Sequence, residues 1–218
     1  MMKIEDRTSG EVRKWRKFAI SLGVGAVCGG LSSFLFLSLV DGTFDQLGKS
    51  GEVAGLVALV YIVTGLALGF GLFIPNLGAR FLNVEDSDEL REQRAQLAFA
   101  SAGTTAAGIA LMIAALAAPA GPIAAPVALA GFAIAMLIFV ITSVGTAKRQ
   151  DEFMRAISRE VAALAFYLIA LTGGAWTLMA HLGLANAPAP LDWLTMMWAV
   201  LLLAAFGVCA GRGLLKPR

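Results

Sequence analysis

The sequence predicts an all-α protein, a polytopic transmembrane helix bundle of six spans with both termini on the cytoplasmic side. Three observations carry this reading. Six apolar runs are each long enough to cross a bilayer, the polar connections between them are short, and every Lys and Arg except Lys49 falls in the N-terminal tail, the second connection, the fourth connection or the C-terminal tail. A hydrocarbon core roughly 30 Å thick needs about 20 helical residues. Basic residues are retained on the cytoplasmic side during insertion, so their alternation orients every span. The chain of 218 residues is 58% hydrophobic and 15% charged, with a mean hydropathy of +0.78. A soluble domain carries about 25% charge. The expected location is a bacterial inner (cytoplasmic) membrane.

Residues 1–17 form a cytoplasmic tail of mixed charge, with Trp15 and Phe18 at the headgroup boundary. Arg13, Lys14, Arg16 and Lys17 then precede the first span, Phe18–Val40. A basic opening of this kind resembles a signal peptide. The apolar run exceeds the 7–15 residues of a signal core, and no small-x-small site ends it, so it reads as an uncleaved anchor. The outer loop Asp41–Gly51 takes its turns at Gly42, Gly48 and Gly51. The second span is Val53–Ile74, and the longest connection, Pro75–Gln96, returns the chain inside. Spans Leu97–Ala118 and Ile123–Val144 are joined by the turn Pro119-Ala120-Gly121-Pro122. Spans Val161–His181 and Leu191–Gly211 are joined by Gly183–Pro190, extended because Pro188 and Pro190 disfavour helix before them. Residues 212–218 form the cytoplasmic C-terminal tail, so the transmembrane domain is 18–211.

The two inner connections are alike. Asp88-Glu89 leads through Arg91 and Arg94 into Leu97-Ala98-Phe99, and Asp151-Glu152 leads through Arg155 and Arg159 into Leu164-Ala165-Phe166. Gly108 with Leu111-Met112 then matches Gly174 with Leu178-Met179. The matches suggest two parallel copies of one helical hairpin, an arrangement some transporters use; chance similarity between Ala/Leu/Gly-rich helices is the alternative. The acids suit helix N-termini, and the i, i+4 spacing of Asp151 and Arg155 suits a helical ion pair. Asp88, Glu89, Arg91, Arg94, Asp151, Glu152, Arg155 and Arg159 are the candidate contacts for a cytoplasmic partner. A solvated helix end that also sets topology explains the same residues.

Gly25/Gly29, Gly65/Gly69 and Gly207/Gly211 are each spaced i, i+4. Such pairs groove one helix face and admit another backbone. They are candidates for packing inside the bundle or for an interface with another subunit. Tyr61, Thr64, Thr104, Thr105 and Thr172 are the mid-membrane polar residues that would line a cavity, or make ordinary interhelical hydrogen bonds. Trp176, His181 and Trp198, toward the outer side, are candidates to contact a ligand in the outer leaflet; anchoring and lipid-facing bulk is the plainer reading.

Chemistry is argued mainly by what is missing. One His and two Cys fall short of the roughly four ligands of a structural zinc site. Cys28 and Cys209 differ in depth by roughly 12 Å at about 1.5 Å per residue, so two free thiols are expected. No GxxxxGK[ST], HExxH or GxSxG motif occurs, and no span places a base beside a nucleophile. No ionisable residue lies mid-span, whereas ion-coupled transport usually keeps one there. No catalytic residue, metal or cofactor is expected, and the basic residues at membrane junctions give no support for nucleic-acid binding. The expected partners are the lipid bilayer and other membrane subunits or further copies of the chain. The function expected is that of a non-enzymatic accessory or scaffold subunit; a small transporter or channel for a neutral or lipidic solute is the alternative.

Overall fold

The computed structural model describes residue 23, residues 29–35, residue 38, residues 47–73 and residues 94–214. Among these the regular structure is all helical. Five helices are each long and apolar enough to cross a membrane: α1 (Gly48–Phe73), α2 (Arg94–Ala115), α3 (Ala125–Arg149), α4 (Glu152–His181) and α5 (Pro190–Gly211). Residues 29–35, within the first apolar run, are also helical; the rest of that run, apart from residues 23 and 38, lies outside the described residues, as do Gly25 and Cys28.

Local chemistry sets the helix ends. α2 stops at Ala115, three residues before the apolar run ends, because Pro119 disfavours helix in the residue before it. The chain then closes a turn in which Gly121 N–H donates to the Ala117 carbonyl at 2.9 Å and Ile123 N–H to Leu116 at 3.0 Å. A Cβ at Gly121 would lie 2.1 Å from the Leu116 carbonyl oxygen, so this turn requires glycine. α3 opens with Pro126 in its first turn, where a missing N–H costs nothing. It runs past Val144 to Lys148 and Arg149, whose charges suit a helix C-terminus.

α4 starts nine residues earlier than its apolar run. Its N-cap is Asp151, whose carboxylate accepts from Met154 N–H at 2.7 Å, a contact worth about 1 kcal/mol. The expected Asp151–Arg155 ion pair is replaced: Asp151 serves as the cap, and the Arg155 guanidinium donates to the Gln150 carbonyl at 3.2 Å. At 30 residues α4 is about 45 Å long, against about 30 Å of hydrocarbon. α5 opens with Pro190, and Asp192 reaches back to accept from Ala189 N–H at 2.8 Å.

The helices pack in the order α3–α2–α1–α5–α4, with a lighter contact between α2 and α5. α3 and α4 are joined by only Gln150 and Asp151, yet they do not pack along each other. The centre is built from small residues. Ala54 and Ala58 of α1 meet Leu111 and Ala115 of α2, with Val57, Met112, Leu191, Leu194 and Trp198 around them. Lipid removes most of the hydrophobic drive between helices, so close van der Waals contact has to hold them. Alanine and glycine allow that approach.

Candidate functional site

The closest approach is between α1 and α2. A Cβ at Gly65 would stand 2.2 Å from Thr105 Oγ1 and 2.6 Å from the Thr105 backbone nitrogen, and one at Gly108 would stand 2.8 Å from the Ala58 carbonyl oxygen. The Ser101 hydroxyl donates to the Gly65 carbonyl at 2.7 Å across the same contact. Gly69 faces Ser101 one turn further on. In the α2–α3 pair Gly103 faces Thr142 and Gly145 faces the ring of Phe99, over which Arg149 is held 4.5 Å from the centroid. In the α4–α5 hairpin Gly173 faces Trp193 and Met196.

The glycine pairs nominated from sequence therefore separate. Gly65 and Gly69 lie inside the α1–α2 contact. Among the described residues Gly207 meets only the end of Leu164 at 3.8 Å, and Gly29 and Gly211 have nothing within 4 Å. The two glycines matched between hairpins also differ: Gly108 is pressed against α1, whereas Gly174 is open.

Of the mid-membrane polar set, Tyr61 has the most specific partner. Its hydroxyl donates to the Trp198 carbonyl of α5 at 2.7 Å, and the Trp198 indole N–H donates to the Ala107 carbonyl of α2 at 3.0 Å. These two bonds tie three helices at one level. Tyr61 and Trp198 come from different sequence-nominated groups, and the fold brings them together. Thr105 joins Gly65 at the α1–α2 contact, Thr64 and Thr104 are half-buried, and Thr172 is exposed on α4. Thr172 donates to Leu168 within its own helix at 2.7 Å, as Thr142, Thr177 and Thr195 do to their own helices.

The outer group does not share a donor set. The Trp176 indole donates to the Asn186 carbonyl at 3.0 Å, bracing the α4–α5 turn, while Trp198 faces α2; His181 is the exposed last residue of α4. On the opposite side, Arg94, Asp151, Glu152, Arg155 and Arg159 are exposed; Asp88, Glu89 and Arg91 lie outside the described residues. Cys209 is a free thiol.

One ion pair was not foreseen. Glu160 of α4 holds Arg212, just past α5, through two hydrogen bonds, one of them from Nε at 3.1 Å. These bonds, and then the Glu160 charge, hold the Arg212 guanidinium above its ordinary pKa. The sequence signal was available: Glu160 lies 21 residues before His181 and Arg212 lies 22 after Pro190, so each is roughly 30 Å from the turn at about 1.5 Å per residue. Among the described residues no group of three or more His, Cys, Asp or Glu is placed to hold a metal ion.

The class that the fold defines is a helical bundle with five helices long and apolar enough to cross a membrane. No family model matches the chain, and no curated protein or solved structure matches it.

Proposed function

We propose that this is an integral protein of a bacterial inner membrane, with six spans and both termini cytoplasmic, that acts without catalysis as an accessory or scaffold subunit. It works by lateral association with other membrane proteins or with itself. One observation carries the reading: among the described residues α3 and α4 each pack along a single neighbour, and both carry wide apolar faces. Leu129 and Leu137 of α3, and Phe166, Tyr167 and Leu171 of α4, are exposed on them. The polar side chains give little support to a solute path, because Tyr61, Ser101 and the bonded threonines spend their hydroxyls on backbone carbonyls.

The orientation draws on where the charges gather. Lys148, Arg149, Arg155, Arg159 and Arg212 lie at the end marked by the Glu160–Arg212 pair, which is the cytoplasmic end by the positive-inside rule. Reporter fusions after Gly121 and Ala187 are expected to report the periplasm, and one after Arg149 the cytoplasm. One reversed reporter overturns the topology. Association is tested by native mass spectrometry of the protein drawn from its own membranes in mild detergent. A reproducible complex heavier than the 22.7 kDa chain is expected. A bare monomer overturns the subunit reading and favours a small transporter or channel.

A further inference from the structure

We propose that the described helices form two bodies, α1–α3 and the α4–α5 hairpin, that are held together by a latch at Trp198 and swing apart when it releases. Inside each body the helices touch at glycine. Gly65 and Gly108 lock α1 to α2, Gly103 and Gly145 lock α2 to α3, and Gly173 locks α4 to α5. The hairpin is also fastened at both ends, by the Trp176–Asn186 bond at its turn and by Glu160–Arg212 where it opens.

The seam between the bodies is made differently. Among the described residues, the α5 side chains on the Ala54–Ala58–Leu111–Ala115 cluster are Leu191, Leu194 and Trp198, all within the first nine residues of α5, and the two hydrogen bonds that cross the seam both pass through Trp198. Leu201, one turn further along that face, is already exposed. Close approach at glycine, backbone to backbone between α1 and α2 and side chain onto glycine in the other pairs, resists sliding, because many short contacts would be lost together. A seam held by one large side chain and two hydrogen bonds gives way when that residue lets go.

The covalent link suits this motion. Gln150 and Asp151 are both extended, and their side-chain and carbonyl bonds go forward into α4: Gln150 Nε2 donates to Ser158 at 3.0 Å, Arg155 donates to the Gln150 carbonyl and Asp151 caps the helix. The link thus travels with the hairpin and leaves the pivot at the end of α3. The pivot lies at the Glu160–Arg212 end and the latch lies toward the α4–α5 turn. Release therefore opens the seam from the turn end.

The test is a spin-label distance measurement on the full chain in phospholipid nanodiscs, with Cys28 and Cys209 replaced by serine. Labels at Lys49→Cys and His181→Cys span the seam, and labels at Lys49→Cys and Val127→Cys stay within the first body. The cross-seam distribution is expected to be at least twice as wide as the internal one. Trp198→Phe should shift it to longer distances, and so should Tyr61→Phe, which removes a single hydroxyl and keeps the ring if the tryptophan variant does not fold. A cross-seam distribution as narrow as the internal control, or one that neither substitution changes, overturns the proposal.

Discussion

Gly65→Ala and Gly108→Ala are each expected to cost about 1–3 kcal/mol of stability, the usual penalty for overpacking a close contact. The added methyl at position 65 would meet Thr105 Oγ1 at 2.2 Å, and that hydroxyl can turn aside. It would also meet the Thr105 backbone nitrogen at 2.6 Å, which cannot move unless the helix does. At position 108 the obstacles include the Ala58 carbonyl oxygen and the Ile62 nitrogen, both at 2.8 Å. Either methyl pushes α1 from α2 and loosens the Ala54–Ala58–Leu111–Ala115 centre between them. Gly174→Ala is the control. Nothing lies within 4 Å of its new methyl, so the change should stay within about 0.5 kcal/mol. Thermal unfolding in detergent, followed by circular dichroism, compares the three. Equal midpoints for Gly65→Ala and Gly174→Ala would refute the close approach.

Trp198→Ala is expected to cost about 3 kcal/mol, at the lower end for truncating a large aromatic in a core. The indole packs against the Ala54–Leu111 cluster and supplies the bond to Ala107, and both are lost together. Tyr61→Phe removes one interhelical hydrogen bond and should cost only about 0.6 kcal/mol, the average for such bonds in a membrane protein. Unfolding by increasing fractions of a denaturing detergent gives both values. If Tyr61→Phe proved as damaging as Trp198→Ala, hydrogen bonding rather than packing would hold α5 in place.

The apolar runs made five helices legible from sequence, because a stretch of about 20 residues without charge has few alternatives to a helix. Helix ends were legible where proline or a cap residue marks them, as at Pro119 and Asp151. At α4 the acidic N-terminus and the hydropathy mark different starts. Glu152–Glu160 is polar, so hydropathy excludes it from the span, yet its residues continue the same helix. What sequence could not supply was direction around each helix axis. Depth alone put Trp198 with Trp176 and His181 as neighbours of an outer-leaflet ligand. Its azimuth turns it toward α1 and α2, where it pairs with Tyr61. The glycine pairs had the same ambiguity. Spacing i, i+4 identifies a groove but not its occupant; among the described glycines of these pairs, Gly65 and Gly69 are the ones met by a neighbouring helix at close range.

The way the hydroxyls are satisfied sets an order for biogenesis. Thr142, Thr172, Thr177 and Thr195 each donate to a carbonyl one turn back in their own helix. Hydroxyls of this kind reach lipid with their partner already in the same helix. The Tyr61 hydroxyl of α1 is different: it takes its partner from α5, 137 residues later in the chain. At about 5–20 residues per second of synthesis, that interval is roughly 7–27 seconds. For that time a phenol made early waits at the depth of the membrane for a carbonyl made late. The α4–α5 hairpin, made later, is then the one that completes α1.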